Sequence, residues 1–209
     1  SFNSYTLRNQ MLKKTLPRSV AIICDSFQTV KKLSEKYLID KERCYKFDYS
    51  VPVYLSEHTT KCISKIKNFD LKKDYIFYPS QLWPHKNHAY ILEALKIYNL
   101  NNDNKIFFLF SGSDKGNLKH INKIAKDLNV SENILYLSFV NQSELISLYK
   151  NALALVMTTY ALPTNIPPLE ALYLECPIIY SKTDANNELF YKNCLWEVDL
   201  NNPGDLSNT

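Results

Sequence analysis

Glycine is scarce in this sequence, and its scarcity narrows the kinds of site that the chain can carry. There are 3 glycines among 209 residues, and none has the spacing of a dinucleotide-binding or P-loop fingerprint. No apolar run approaches the roughly 18 residues that a membrane-spanning helix requires, and no signal-peptide pattern opens the chain. We therefore expect a cytoplasmic protein whose membrane contact is at most peripheral.

The sequence also lacks the patterns that predict disulfides, metals or nucleic acids. Its 5 cysteines are odd in number and without CxxC spacing, so the sequence suggests neither a disulfide framework nor a zinc site and fits a reducing compartment. His85 and His88 are three residues apart, but no carboxylate or cysteine pattern completes a site, so we favour packing at a helix entry and expect no metal. The net charge is only +4 and the basic residues are scattered, so no nucleic-acid partner is expected.

Two apolar periodicities alternate along the chain. Short runs rich in β-branched and aromatic residues, typical of buried parallel strands, occur at 19–26, 44–47, 75–80, 105–112, 134–140, 152–159, 176–181 and 195–200. Helical periodicity lies between them at 28–38, 88–98, 117–128, 143–150 and 168–174, with Asn87 as the predicted N-cap of the second helix. This alternation predicts an α/β fold with a doubly wound, Rossmann-like parallel sheet.

A polar, lysine-rich stretch, SEHTTKCISKIKNFDLKKD, interrupts the alternation. We interpret residues 55–73 as a linker between two domains. Residues 1–54 then hold one strand-helix-strand unit that is too small to form a domain alone, whereas residues 74–209 form a nearly complete doubly wound domain. We expect both domains to be truncated parts of a longer protein.

Residues 163–181, PTNIPPLEALYLECPIIYS, carry the most unusual motif. Two prolines stand directly ahead of Leu169, and proline suits a first helical turn because its fixed φ fits there and its missing N–H costs nothing. Such a helix start would attract an anion near Thr164 and Asn165, with Glu170 close enough to hydrogen-bond the group that carries it. Ordinary helix capping, with Glu170 offsetting the helix dipole, explains the same pattern, and the motif alone does not decide between the two.

Four segments, in order, carry a family resemblance: YPSQLWPHKNH, FSGSDKG, LYLSFVNQSELISLYKNA and PTNIPPLEALYLECPIIYS. Together they resemble the donor-binding domain of the retaining glycosyltransferases of the group 1, family 4 type, whose GT-B fold has two Rossmann-like domains. The resemblance covers residues 75 to about 200. It extends more faintly to residues 19–47, which look like the last βαβ unit of the family's first domain.

The resemblance implies a site for the diphosphate and sugar of a nucleotide-sugar donor. Lys86 matches the family's diphosphate lysine, and Gln81 stands where the family usually has arginine. The amides around Pro168 and Leu169 lie where the diphosphate sits. The resemblance also implies that two neighbouring polar residues contact the donor sugar or phosphate, namely Thr164 and Asn165.

The resemblance likewise implies how the nucleoside is held. Glu170 matches the second acid of the family's E-x7-E signature, which hydrogen-bonds the ribose hydroxyls, and it joins Lys86 as an implied catalytic-site residue. The nucleobase is held, largely by backbone, at three consecutive residues, Leu137, Ser138 and Phe139. The pattern departs from the family at Leu162, where the first acid is expected, and at Glu175, where a glycine usually ends the helix in a left-handed conformation.

The resemblance implies retaining transfer of a hexose, from GDP-mannose or a UDP-sugar, to a lipopolysaccharide, capsule or O-antigen type acceptor. No metal or cofactor is implied beyond the nucleotide-sugar cosubstrate, and the glycolipid or polysaccharide acceptor would bind through the N-terminal domain, at the inner face of the cytoplasmic membrane. The PTNIPPLEA variant resembles a bacterial envelope-polysaccharide subgroup. The isolated chain is expected to be inactive.

Two other classes of protein remain open at this stage. The chain could be a nucleotide-binding module with no activity of its own. It could also be a flavodoxin-like receiver or a dinucleotide-binding domain, but the receiver needs an acidic cluster after its first strand and the dinucleotide-binding domain a G-x-G-x-x-G motif, and neither is present.

Overall fold

The computed structural model describes residues 2–57, 63–160, 166–182 and 194–209. These residues divide into two compact units, one made of residues 2–50 and the other of the described residues from Val51 onward. Within the described part of the chain, no helix is long and apolar enough to cross a membrane.

The first unit contains the predicted strand-helix-strand element. It comprises α1 (Phe2–Thr15), β1 (Ile22–Cys24), α2 (Phe27–Tyr37) and β2 (Cys44–Lys46). The two strands pair in parallel, which requires a crossover, and α2 provides it. Helix α2 begins at Ser26, whose side chain accepts a hydrogen bond from the Thr29 N–H.

The second unit is a doubly wound α/β domain. Its helices are α3 (Val53–Glu57), α4 (His88–Asn101), α5 (Leu118–Asp127), α6 (Gln142–Asn151), α7 (Ile166–Tyr173) and α8 (Pro203–Asn208). Its strands are β3 (Lys65–Ile66), β4 (Phe69–Asp70), β5 (Tyr75–Pro79), β6 (Phe107–Ser111), β7 (Ile134–Ser138), β8 (Ala154–Met157), β9 (Ile178–Ser181) and β10 (Trp196–Val198). Every strand predicted from an apolar run is present, so the fold prediction is confirmed.

Strand order places a switch point in the middle of the main sheet. Six parallel strands pair in the order β10-β9-β8-β5-β6-β7. The chain runs from β5 outward through β6 and β7, then returns to the other side of β5 with β8. The winding direction therefore reverses between β5 and β8, and ligands of such sheets bind beyond the carboxyl ends of the strands at this point.

Aromatic side chains fill the core of the second unit. Tyr75, Phe77 and Tyr78 of β5 are all fully buried, because this central strand is covered on both faces. The Tyr75 hydroxyl donates to the Leu148 carbonyl at 2.7 Å, which satisfies its one polar group inside the core.

The interval that the sequence assigned to a linker, residues 55–73, contains ordered structure. It holds the end of α3 and the β3–β4 hairpin, and Ile66, Phe69 and Leu71 are buried in the core of the second unit. The short hairpin strands were not predicted because two-residue strands show no apolar alternation. This part of the interval belongs to the second unit.

Candidate functional site

Lys86 ends a 3₁₀ turn, Pro84–Lys86, in the loop that follows β5. Its side chain is only 9% exposed, and its ammonium has no hydrogen bond or ion pair with any other residue that the structure describes. Burial lowers the pKa of the Lys86 ammonium below its ordinary value. A partly desolvated cation that lacks a counterion would be stabilised by an anionic ligand.

Hydrogen bonds from both sides of the switch point fix the backbone of this turn. The Tyr78 hydroxyl donates to the Lys86 carbonyl at 2.8 Å, and the Thr158 hydroxyl lies 3.2 Å from the same oxygen. Beyond β8, the Tyr160 N–H donates to the His85 carbonyl at 3.0 Å. Two buried side chains and one backbone amide therefore hold Lys86 at the carboxyl ends of β5 and β8.

His88 opens α4 and packs between aromatic rings. Its ring stacks on Tyr78 with centroids 4.9 Å apart and meets Phe110 edge-on at 5.0 Å. Burial, and secondarily the charge of Lys86, lowers the pKa of His88 to about 4. Neither ring nitrogen has a hydrogen-bond partner in the described part of the chain. His88 is thus a neutral packing residue at pH 7, as the helix-entry interpretation predicted.

One detail of this helix start differs from the sequence prediction. Asn87 occupies the N-cap position of α4, but its backbone is left-handed with φ 54° and its side chain makes no capping hydrogen bond. The expected side-chain cap is therefore wrong, because the preceding 3₁₀ turn forces a conformation in which asparagine is tolerated for its backbone. In the ranges that the structure describes, no group of three or more His, Cys, Asp or Glu residues could hold a metal.

Gly112 brings the loops after β5, β6 and β7 into close contact. Its φ is 135°, and a Cβ at this position would lie 2.5 Å from the Ser80 carbonyl oxygen and 2.9 Å from the Gln81 nitrogen. The Gly112 N–H donates to the Ser138 carbonyl at 2.8 Å, and its own carbonyl accepts from the Tyr136 hydroxyl at 2.6 Å. Only glycine fits this backbone junction.

The residues predicted to hold a nucleobase lie at the end of β7. Leu137 is 1% exposed, so its side chain belongs to the core and only its backbone is accessible to a ligand. Ser138 has a left-handed backbone with φ 62°. The ring of Phe139 is 87% exposed. The turn therefore presents backbone groups and one aromatic ring to solvent.

The N-terminus of α7 differs from its predicted form. The helix begins at Ile166, two residues before the predicted start, so Pro167 and Pro168 are its second and third residues. Because proline has no N–H, only Ile166 and Leu169 among the first four residues of α7 have a backbone N–H. Pro168 itself has no N–H to donate, and the role predicted for the amides around Pro168 and Leu169 stays a prediction.

Glu170 lies one residue further along α7 and is 7% exposed. The Tyr54 hydroxyl donates to its Oε1 at 2.5 Å and the Tyr149 hydroxyl to its Oε2 at 2.7 Å. Burial, together with the neighbouring carboxylate, raises the pKa of both tyrosines above the ordinary value, so both hydroxyls keep the protons that they donate. The carboxylate is thus held by one neutral donor on each oxygen.

Of the remaining predicted site residues, the structure describes only Gln81. The Gln81 side chain is exposed, and its carbonyl oxygen accepts a hydrogen bond from the Trp83 indole at 2.8 Å. Thr164, Asn165 and the variant position Leu162 lie outside the described residues. Their roles stay predictions.

The parallel strands bring part of the predicted site together. The turns that carry Lys86, Gly112 and Ser138 follow β5, β6 and β7, so they meet at the same edge of the sheet. Glu170 instead contacts Tyr54 and Tyr149, and no hydrogen bond or ion pair joins it to Lys86 among the described residues. Sequence reasoning missed both tyrosines, and no local motif distinguishes them from other tyrosines of the core.

The fold and the strand order define a doubly wound α/β domain with its switch point beside Lys86. The family of glycosyl transferases group 1 matches residues 59–198. The chain belongs to this family.

The chain also resembles known proteins in sequence and in fold. The chain is 25% identical over 186 residues to the O-antigen chain mannosyltransferase RfbU of Salmonella typhimurium, covering 89% of this chain and 49% of that protein. Its fold is similar to sucrose-phosphate synthase from Thermosynechococcus elongatus, with a TM-score of 0.77 and 15% identity over 97% of this chain and 51% of that one. Anabaena HepE, solved with UDP and glucose, gives a TM-score of 0.76 and 14% identity over 96% and 56%. The chain thus spans about half the length of these relatives.

Proposed function

We propose that this chain is the donor-binding part of a retaining, metal-independent glycosyltransferase. It binds a nucleotide-sugar and presents the sugar to an acceptor of the lipopolysaccharide, capsule or O-antigen type. The observation that carries the proposal is Lys86, a buried residue whose ammonium has no hydrogen-bond or ion-pair partner among the described residues, at the switch point of a group 1 glycosyl transferase domain.

Lys86 supplies the charge that a departing diphosphate needs. Cleavage of the bond between the sugar and the diphosphate leaves negative charge on the leaving group, and stabilising this charge is the main electrostatic task of such a transfer. Tyr78 and Thr158 hold the Lys86 backbone carbonyl at the carboxyl edge of the sheet, so a partly desolvated lysine would already lie close to the anion that it stabilises. The N-terminus of α7, which includes Leu169, would add a partial positive charge.

Glu170 and the turn at 137–139 would bind the nucleoside. A carboxylate accepts hydrogen bonds from vicinal hydroxyls, and the ribose of a nucleotide offers two of them. The backbone groups around Ser138, in its left-handed conformation, and the exposed ring of Phe139 offer polar and stacking contacts to a base.

Two relatives suggest the donor. RfbU is named a mannosyltransferase of the O-antigen chain, and HepE was solved with UDP and glucose. We therefore infer that the donor is GDP-mannose or a UDP-hexose. The acceptor is a growing envelope glycan or glycolipid, and it would be bound outside the donor domain, at the inner face of the cytoplasmic membrane.

Calorimetric titration without metal tests the proposal. The chain is titrated with GDP, UDP, GDP-mannose, UDP-glucose and NAD, and the titrations are repeated on Lys86→Ala and Glu170→Ala. We expect one nucleotide and its sugar conjugate to bind and both substitutions to weaken binding about 10-fold or more. Lys126→Ala, at an exposed position at the end of α5, is the control and should bind normally. Binding of NAD in place of GDP and UDP, or of no nucleotide at all, would contradict the proposal.

A further inference from the structure

We propose that Tyr54 and Tyr149 are positioning residues that set the Glu170 carboxylate for recognition of a ribose diol. This inference rests on the proposed function and adds to it the two side chains that would give the nucleotide site its preference for ribonucleotides over deoxyribonucleotides. The two tyrosines come from α3 and α6, which both precede α7 in the chain, and each contacts a different oxygen of the carboxylate.

The two contacts fix a group that otherwise turns freely. The last side-chain torsion of glutamate is broad and roughly two-fold, so an unrestrained carboxylate samples many orientations. Hydroxyl donors at 2.5 Å on Oε1 and 2.7 Å on Oε2 hold both ends of the Glu170 carboxylate. Short O–H···O⁻ bonds of this kind are among the stronger hydrogen bonds in proteins. The plane of the carboxylate is therefore set before any ligand arrives.

Both tyrosines are themselves restrained. The Tyr149 side chain is 1% exposed, its ring meets Phe77 edge-on at 5.2 Å, and its hydroxyl also lies 3.3 Å from the Pro167 carbonyl of α7. The Tyr54 side chain is half-buried on the short helix α3. Tyr149 has one hydroxyl proton, and it goes to the nearer acceptor, which is Glu170. Because the Tyr149 ring is fixed by packing in the core, its hydroxyl restrains the position of the carboxylate.

The arrangement leaves Glu170 able to accept further hydrogen bonds. An ionised carboxylate has about four acceptor positions, and the two hydroxyls occupy one on each oxygen. One acceptor position per oxygen therefore remains for the two adjacent hydroxyls of a cis-diol. Removing either tyrosine hydroxyl frees the carboxylate to rotate, and the loss should fall on ligands with both hydroxyls.

The test compares ribonucleotides with deoxyribonucleotides. The chain is titrated with GDP or UDP, whichever binds, and with its 2′-deoxy and 3′-deoxy forms. The same titrations are made on Tyr54→Phe, Tyr149→Phe and Glu170→Ala, and the readout is the ratio of deoxy to ribo Kd. Tyr75→Phe is the matched control, because the Tyr75 hydroxyl is equally buried but bonds to the Leu148 carbonyl.

We expect the unmodified chain and Tyr75→Phe to bind the ribonucleotide about 10-fold or more tightly than either deoxy form. Each substitution at Tyr54 or Tyr149 should reduce this ratio at least threefold and leave the Kd of the deoxy forms nearly unchanged. A purely structural role would instead weaken all three ligands together. Tyr54→Phe, at the half-buried position, keeps the test valid if the substitution at buried Tyr149 impairs folding.

Two results would overturn the inference while leaving the proposed function intact. In the first, nucleotide binds and Glu170→Ala weakens it, but both tyrosine variants keep the full deoxy-to-ribo ratio. In the second, Tyr54→Phe binds the ribonucleotide more tightly, which would mean that the Tyr54 hydroxyl competes with ribose. Failure of every nucleotide to bind the unmodified chain would refute the proposed function and this inference with it.

Discussion

The hydroxyl of Thr158 lies 3.2 Å from the backbone carbonyl of Lys86, which joins the end of β8 to the loop after β5. These two strands are neighbours in the sheet but are separated in the chain by the units that contain β6 and β7. The contact therefore links the two strands that flank the switch point, at the backbone of Lys86. Because the lysine is buried and unpaired, the same feature that would favour an anionic ligand should reduce the stability of the empty protein.

Replacing Lys86 should separate binding from stability. In Lys86→Met, the buried charge is removed while the aliphatic volume is largely kept, so we expect the free energy of unfolding to rise by about 1 kcal/mol. The affinity for a nucleoside diphosphate should fall about 10- to 100-fold, as expected when a charged hydrogen-bond donor is lost. Urea denaturation and calorimetric titration measure the two effects.

Lys126→Met provides the comparison, because Lys126 is exposed at the end of α5. It should change neither the unfolding free energy by more than about 0.5 kcal/mol nor the nucleotide affinity. If Lys86→Met were less stable than the unmodified chain and bound nucleotide equally well, Lys86 would be a packing residue.

The two glycines of the loop after β6 should respond differently to substitution. A Cβ at Gly112 would lie 2.5 Å from the Ser80 carbonyl oxygen, whereas one at Gly116 would meet nothing within 4 Å. Both have positive φ, so Gly116→Ala should cost about 1 kcal/mol through backbone strain alone. Gly112→Ala adds a collision with backbone and should cost about 3 kcal/mol or more. Urea denaturation measures the loss of unfolding free energy in each variant. Equal losses would show that the backbone at Ser80 shifts at little energetic cost.

The strands could be predicted because each strand of a buried parallel sheet forms a recognisable apolar pattern within a few consecutive residues. Strands such as Tyr75–Pro79 and Ala154–Met157 are continuous apolar runs, since both of their faces are covered. Helix α1 shows no comparable apolar pattern in the sequence. Its Leu7 and Met11 are 71% and 61% exposed, and residues 5–15, whose side chains the structure describes, include no buried apolar stripe from which to infer a helix.

The candidate site could be predicted only where one segment carries the signal. Lys86 and Glu170 each lie in a distinctive motif, and the structure places both in buried positions. The partners of Glu170 could not be found in this way, because Tyr54 is 116 residues away in sequence and contacts it only through the fold. The start of α7 was misplaced because proline fits several positions of a first helical turn equally well.

Acid should destabilise this protein through His88. Burial lowers the pKa of folded His88 from 6.5 to about 4. Between these two values the unfolded chain binds a proton that the folded chain does not, so stability is lost as the pH falls from about 6.5 to about 4. The loss attributable to His88 should approach 3 kcal/mol, since each pKa unit corresponds to about 1.4 kcal/mol.

In His88→Phe this part of the pH dependence should disappear. The phenyl ring fits between Tyr78 and Phe110 and leaves no unpaired nitrogen, so stability at pH 7 should be retained or increased. Urea denaturation from pH 7 to pH 4 makes the comparison, with the exposed His120→Gln as control. Parallel pH curves for the unmodified chain and His88→Phe would show that His88 is protonated without cost in the fold.

Glycine at position 175 should stabilise the end of α7. Glu175 is exposed and has φ 58°, a left-handed backbone in which a side chain with Cβ is strained by about 1 kcal/mol. The geometry is that of a helix-ending turn, because the Cys176 N–H donates to the Ala171 carbonyl at 2.8 Å. This agrees with the left-handed turn expected from the glycine that the family usually has here.

Glu175→Gly should therefore raise the free energy of unfolding by up to about 1 kcal/mol, Glu175→Asn by less, and Glu175→Ala by almost nothing. The order of the three variants is the critical result, because removal of the charge is common to all of them and only the tolerance of positive φ differs. Nucleotide affinity should be unchanged in each, since Glu175 lies at the opposite end of α7 from its proline-rich start. If Glu175→Ala stabilised the chain as much as Glu175→Gly, the strain would come from the glutamate charge and not from the backbone.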